Sequence, residues 1–149
     1  MEREDRLKLL LFPLRFRLIL FVFLFPAGIL ASDRTKVKEG NRSYEAGKLD
    51  EALVKYRDAA LDNPSSPEIH FNIGNTLYKM GKYDDAMKEY ETSLKTRDVS
   101  FQSKSYYNIG NTYFRKDKLP EAIQMYKKSL DLNPGDEDAK FNLELTRAK

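Results

Sequence analysis

Between Pro67 and Leu94 the apolar residues fall on two helical stripes. Ile69, Ile73 and Leu77 make the first, with Ile73 and Leu77 one turn apart, the spacing of one buried helix face. Gly81-Lys82 interrupts it, and glycine enters the left-handed region at little cost. Asp84 and Asp85 come next, where carboxylates favour a helix start. Ala86, Met87, Tyr90 and Leu94 form the second stripe. The pattern predicts helix, tight turn, helix. Residues 107–130 share ten of 24 positions with residues 71–94, so the same unit is expected again. Asp117 stands at its turn, and Asp tolerates left-handed backbone better than most residues. Pro120 stands in the first helical turn, where proline is welcome.

A weaker copy precedes these two. Gly40-Asn41, Gly74-Asn75 and Gly110-Asn111 open three blocks, 34 and then 36 residues apart. Each is followed by an alanine (Ala52, Ala86, Ala122) and, four residues on, a tyrosine (Tyr56, Tyr90, Tyr126). A period near 34 is that of stacked helix pairs, which bind partners far more often than they catalyse. A glycine inside a helix costs about 1 kcal/mol against alanine. Repeating it implies a repeated gain, expected to be close approach of the paired helix. Ala52, Ala86 and Ala122 are expected opposite the glycines, with Tyr56, Tyr90 and Tyr126 filling the space between successive pairs. In the first block Glu39 and Ser43 replace apolar residues, as an outer helix allows. Pro64 and Pro134 end the first and third second-helices, while block 2 has Asp98 there and a linker two residues longer. A further helix is expected over residues 136–147. Its Ala139, Leu143 and Thr146 share a face that covers the end of the stack, with Phe141 and Leu145 beside it. The expected fold is all-α: a solenoid of three helix-turn-helix repeats over about 33–66, 67–102 and 103–136, plus a C-terminal capping helix, together filling residues 33–149.

Charge bears mainly on location. Residues 1–31 hold five Lys/Arg and three Asp/Glu; the remainder holds 21 and 20. A near-neutral body carries no electrostatic footprint for nucleic acid. Cysteine is absent, which removes disulfides, thiolate metal sites and a thiol nucleophile. Arg15 and Arg17 precede an uncharged run from Leu18 to Ser32, the pattern of a secretory signal. The run is short for a spanning helix, and Pro26 and Gly28 suit an opened chain ending in cleavage after Ala31. Residues 1–31 are therefore expected to be a signal peptide or a retained membrane anchor. An exported, periplasmic protein follows, or one anchored to the inner membrane by this segment, with no other membrane contact.

The segments FNIGNTLYKMGKYDDAMKEYETSL and YNIGNTYFRKDKLPEAIQMYKKSLDLNP resemble the tetratricopeptide-repeat consensus, and EGNRSYEAGKLDEALVKYRDAALDNP does so less fully. The resemblance implies an α-solenoid that binds proteins and needs no cofactor. The N-terminal segment, the longer middle repeat and the closing DEDAKFNLEL also resemble the tetratricopeptide members of the bacterial Bat aerotolerance family. That resemblance implies an envelope complex beside membrane proteins with von Willebrand A domains.

In such arrays the first helix of each pair lines a concave groove. Spacing of i, i+3 and i+7 puts Asn72, Asn75 and Lys79 on one face, and likewise Asn108, Asn111 and Arg115, and Lys38, Asn41 and Glu45. Asparagine donates and accepts hydrogen bonds, as a peptide backbone requires, while Lys and Arg attract carboxylates. Tyr44, Tyr78 and Phe114 add aromatic surface. The plainer reading assigns Gly-Asn to packing and makes Lys79 and Arg115 solvated helix ends. Some family members clamp a partner's C-terminal carboxylate. Asn41, Asn72 and Lys104 match that set, but Val37 and Asn108 stand where its principal cations would be. No clamp of that type is expected. His70 is the only histidine, expected to pack on the preceding repeat, and nothing completes a triad or a transition-metal site with it. Two functions remain: a non-catalytic interaction scaffold of the cell envelope, or a holdase-like chaperone for exported chains.

Overall fold

The structure, a computed structural model, describes residues 33–149. The expected signal or anchor over 1–31 lies outside them. Seven helices make up the described chain: α1 over 33–45, α2 Leu49–Asp62, α3 Pro67–Lys79, α4 Tyr83–Ser93, α5 Val99–Arg115, α6 Leu119–Leu132 and α7 Glu137–Arg147. They pair as α1/α2, α3/α4 and α5/α6, with α7 closing the stack on α6. The repeat pattern and the solenoid it predicts are thus realised.

The two kinds of helix start differently. The first helices α3, α5 and α7 are capped by Ser66, Asp98 and Asp136, whose side chains accept from Ile69, Phe101 and Ala139 N–H groups. The second helices α2, α4 and α6 begin after Lys48, Lys82 and Lys118, with no side-chain cap. The preceding turn sets their entry instead. In each turn the lysine N–H bonds back across it, Lys48 to Ser43, Lys82 to Leu77 and Lys118 to Tyr113, at 2.9–3.0 Å. This closure needs one left-handed residue, supplied by Gly47 (φ 75°), Gly81 (φ 76°) and Asp117 (φ 58°). Asp117→Gly relieves the side-chain cost there and is expected to raise stability by about 0.5–1 kcal/mol, read from urea denaturation.

The longer middle linker is resolved differently from the sequence expectation. It does not swell into a loop. Asp98 caps α5 rather than ending α4, and α5 runs 17 residues against 13 for α3. The extra turn, 99–102, brings Phe101 against Phe71, ring centroids 5.1 Å apart.

Ala52, Ala86 and Ala122 are fully buried, and Ile69, Ile73, Leu77 and the three repeat tyrosines nearly so. The tyrosines do more than face the space between successive pairs. Each ring lies directly on the glycine of its own pair: a Cβ on Gly40, Gly74 or Gly110 would stand 2.6–2.7 Å from Tyr56, Tyr90 or Tyr126. The repeated gain from glycine is a slot for a phenol. Ser43 is buried, because α1 packs its inner face on α2, while Glu39 pairs with Lys55 at 2.8 Å. Buried hydroxyls elsewhere are satisfied locally. Thr76, Thr112 and Thr146 each donate to the carbonyl four residues back. Ser93 meets Ser105 at 2.8 Å, and Ser103 and Ser129 each donate to the other's carbonyl. Ala139, Leu143 and Thr146 cover α6 as expected, leaving Phe141 and Leu145 exposed.

Candidate functional site

The first helices α1, α3, α5 and α7 share one face of the stack. Three hollows lie along it: about 100 Å³ between α1 and α3, about 260 Å³ between α3 and α5, and about 270 Å³ between α5 and α7. Neighbouring hollows share residues, Tyr44 and Asn75 for the first two, Tyr78 and Asn111 for the last two. They therefore form one continuous groove.

Its floor is a ladder of tyrosines and asparagines. The slotted phenols reach through each pair and donate to the asparagine after the glycine: Tyr56 to Asn41 (2.6 Å), Tyr90 to Asn75 (2.9 Å) and Tyr126 to Asn111 (2.8 Å). The next first helix adds a second donor. Asn108 Nδ2 donates to Asn75 Oδ1 at 2.8 Å, and Asn142 Nδ2 to Asn111 Oδ1 at 3.0 Å. With their carbonyl oxygens engaged, Asn41, Asn75 and Asn111 keep their amide N–H groups for the groove, a surface suited to carbonyl and carboxylate oxygens. Burial holds the phenols protonated and so keeps them donors, pushing Tyr56 up to about 12 and Tyr90 and Tyr126 higher still. An acid whose folded pKa lies above its unfolded value of about 10 stabilises fully below that pH, and the contribution is lost as pH rises through the folded value. The midpoint of thermal unfolding is therefore expected to hold steady below about pH 9 and to fall from about pH 10 upward, less steeply in Tyr56→Phe.

Of the residues read from sequence, Asn41, Tyr44, Asn72, Asn75, Tyr78, Asn108, Asn111 and Arg115 line the hollows. Lys104 is exposed on α5, one turn before Asn108. The cations at the helix ends are not merely solvated. Lys79 Nζ lies 4.6 Å from the centre of the Tyr44 ring, Lys149 Nζ 4.6 Å from that of Phe114, and Arg115 Nε donates to Tyr83 Oη at 3.1 Å. Each reaches back to an aromatic of the preceding repeat, stitching repeats along one lip of the groove. Sequence reasoning missed that the repeat tyrosines belong to the floor. It also missed Asn142, although the spacing Asn72, Asn108, Asn142 repeats at 36 and 34 residues.

His70 is not packed simply on the preceding repeat. Nδ1 is 2.6 Å from Glu89 Oε2 on its own second helix, and Nε2 is 2.9 Å from the Pro64 carbonyl. Among the described residues no group of three or more His, Asp or Glu is arranged for a metal ion, and no helix is long and apolar enough to cross a membrane.

A stack of helix pairs with a polar groove along its first helices defines a repeat-built interaction module. Family models match it three times over: "TPR repeat" at residues 40–81, and "Tetratricopeptide repeat" at 67–97 and at 103–136. The chain belongs to the tetratricopeptide-repeat family, one of protein-interaction scaffolds rather than catalysts. No curated protein matches its sequence. Similar solved structures include the first such domain of Spaghetti (RPAP3) bound to the HSP90 peptide SRMEEVD, with TM-score 0.74, 23% identity, 79% of this chain and 92% of that one. The Arabidopsis OM64 domain has TM-score 0.76 and 17% identity over 80% and 98%. The second human RPAP3 domain in complex with the HSP70 peptide SGPTIEEVD has TM-score 0.72 and 25% identity over 83% and 99%.

Proposed function

We propose that the chain is a non-catalytic scaffold of a bacterial cell envelope that grips an extended segment of a partner protein in its groove. The observation that carries this reading is the continuous floor of outward amide donors held in place by buried phenols. A rigid row of donors matches main-chain carbonyls spaced along an extended strand, with little ordering cost on the protein side. Peptide-bound relatives support the binding mode. Their ligands' acidic tails are not carried over, because Val37 and Asn108 replace cations and Asn108 is occupied by Asn75.

The N-terminal pattern supports export, either cleaved near Ala31 or retained as an anchor, and a mature chain beginning near Ser32 is the expected product. The envelope setting and the closing DEDAKFNLEL support a Bat-type aerotolerance complex, with membrane proteins bearing von Willebrand A domains as the partner class. A holdase needs broad apolar surface. The large exposed apolar side chains, Val54, Leu61, Val99, Phe141 and Leu145, are scattered over three helices, and only Leu145 lines the groove. The test is cross-linking in the envelope followed by pull-down, comparing the parent with Asn72→Ala/Lys104→Ala, whose side chains bear no internal bond among the described residues. Loss of specific capture with unchanged melting is expected. Undiminished capture by that variant would dismiss the groove as the binding surface.

A further inference from the structure

A separate pocket of about 450 Å³ opens between α1 and α3, beyond the first hollow of the groove. Val37 and Ile69 supply its apolar walls, Arg34 and Lys38 its cations, Asp33 and Glu68 its carboxylates, and Asn41, Asn63 and Ser66 the rest. The internal repeats explain why it exists. At the next interface, α3 against α5, the Phe71 ring lies 5.1 Å from that of Phe101 and 5.9 Å from that of Tyr90. The repeat offset places Val37 at the position of Phe71, 34 residues earlier, while α3 begins only at Pro67 and has no counterpart of the turn that carries Phe101. Where the second interface is filled by two rings, the first has the isopropyl group of Val37 and one helical turn fewer. The volume those rings fill at the second interface is left as a pocket at the first.

We propose that this pocket is the anchor site of the groove, taking one aromatic side chain of the bound segment; the proposal rests on the groove being a peptide-binding surface. The space has the location of a ring already accommodated by this fold one repeat along. Its rim favours an aromatic over an aliphatic occupant. Arg34 and Lys38 are exposed, and neither side chain has a hydrogen-bond or ion-pair partner among the described residues. Of the two carboxylates in the lining, Asp33 is engaged by Asn63 Nδ2 and the Arg34 N–H, and Glu68 stands on α3 across from the two cations of α1. The chain sets ammonium groups over rings at three other places, Lys79 on Tyr44, Lys128 on Tyr106 and Lys149 on Phe114, at 4.6–5.3 Å. A ring in the pocket gains the same attraction from its rim cations, which a leucine side chain does not.

The experiment uses the full chain in mild detergent, with the Ile69 methyl group as the NMR reporter. The probes are the capped pentapeptides Gly-Ser-X-Ser-Gly with X = Phe, Leu or Ala. The Phe peptide is expected to shift the Ile69 methyl saturably. The Leu peptide should bind about threefold more weakly for want of the cation–ring attraction. The Ala peptide should bind about tenfold or more weakly for want of apolar burial. Val37→Phe and, separately, Val37→Trp refill the pocket from the residue that lines it. Both are expected to abolish the Ile69 response while melting no lower than the parent, and either one suffices should the other not fold. Equal binding of the Ala peptide, an Ile69 response that survives a folded filled variant, or no saturable shift at all overturns the anchor. Shifts confined to the Asn75 and Asn111 amides would refute the anchor and leave the groove intact, whereas silence at both places would count against both.

Discussion

Gly74→Ala is expected to destabilise the parent chain by about 2 kcal/mol and to stabilise a Tyr90→Ala background by about 0.5–1 kcal/mol. The reversal follows from one contact. In the parent, the new methyl stands 2.7 Å from two ring carbons of Tyr90, a side chain only 1% exposed. The ring cannot swing aside. It is pinned at its far end by the hydroxyl on Asn75 and at its edge by Phe71. Overpacking of this kind costs about 1–3 kcal/mol and outweighs the gain in helix propensity. With the ring removed the slot is empty, the clash is gone, and only the propensity gain remains. Tyr90→Ala alone is expected to cost about 3–5 kcal/mol, as does losing a large buried aromatic. Urea denaturation of the four chains closes a double-mutant cycle. If Gly74→Ala has the same sign in both backgrounds, the phenol slot is not what the glycine is for.

The second large effect separates two asparagines on the same face of α3. Asn75→Ala should lower stability by about 2 kcal/mol, because it strands the buried Tyr90 hydroxyl and the Asn108 amide together. Asn72→Ala, whose side chain bonds to nothing within the described chain, should stay within about 0.5 kcal/mol. The pair separates framework from open surface: the Asn72 side chain is left unbonded on the groove, and Asn75 holds the floor in register. Similar losses for the two would mean that the Tyr–Asn–Asn ladder carries no stability.

Much of this was open to a reader of residues alone. The two periodicities, 3.6 within helices and about 34 between them, specify the helix pairs, the turns at Gly81 and Asp117 and the covering role of Ala139, Leu143 and Thr146. Such features are local or repeat at fixed distance, so a one-dimensional pattern records them. The candidate site was legible as a list of faces but not as a set of bonds. Asn41, Asn75 and Asn111 line the hollows, yet which of their atoms are free depends on tyrosines 15 residues away. Lys79 read as a helix-end cation, and only the stacking of α3 on α1 shows it over Tyr44. The two extra residues before the third repeat read as a longer loop. They became a helical turn because Asp98 caps it and Phe71 offers Phe101 a ring to pack on.

The sequence by itself determined the secondary structure, the family and the face that looks outward. All three follow from how often a residue type recurs along a chain whose helical geometry is known. Tertiary structure decided which glycine meets which ring, which amide groups remain available, and where a pocket is left. Those depend on distances across helices, and a side chain's partners there are set by volume and register that no single repeat contains.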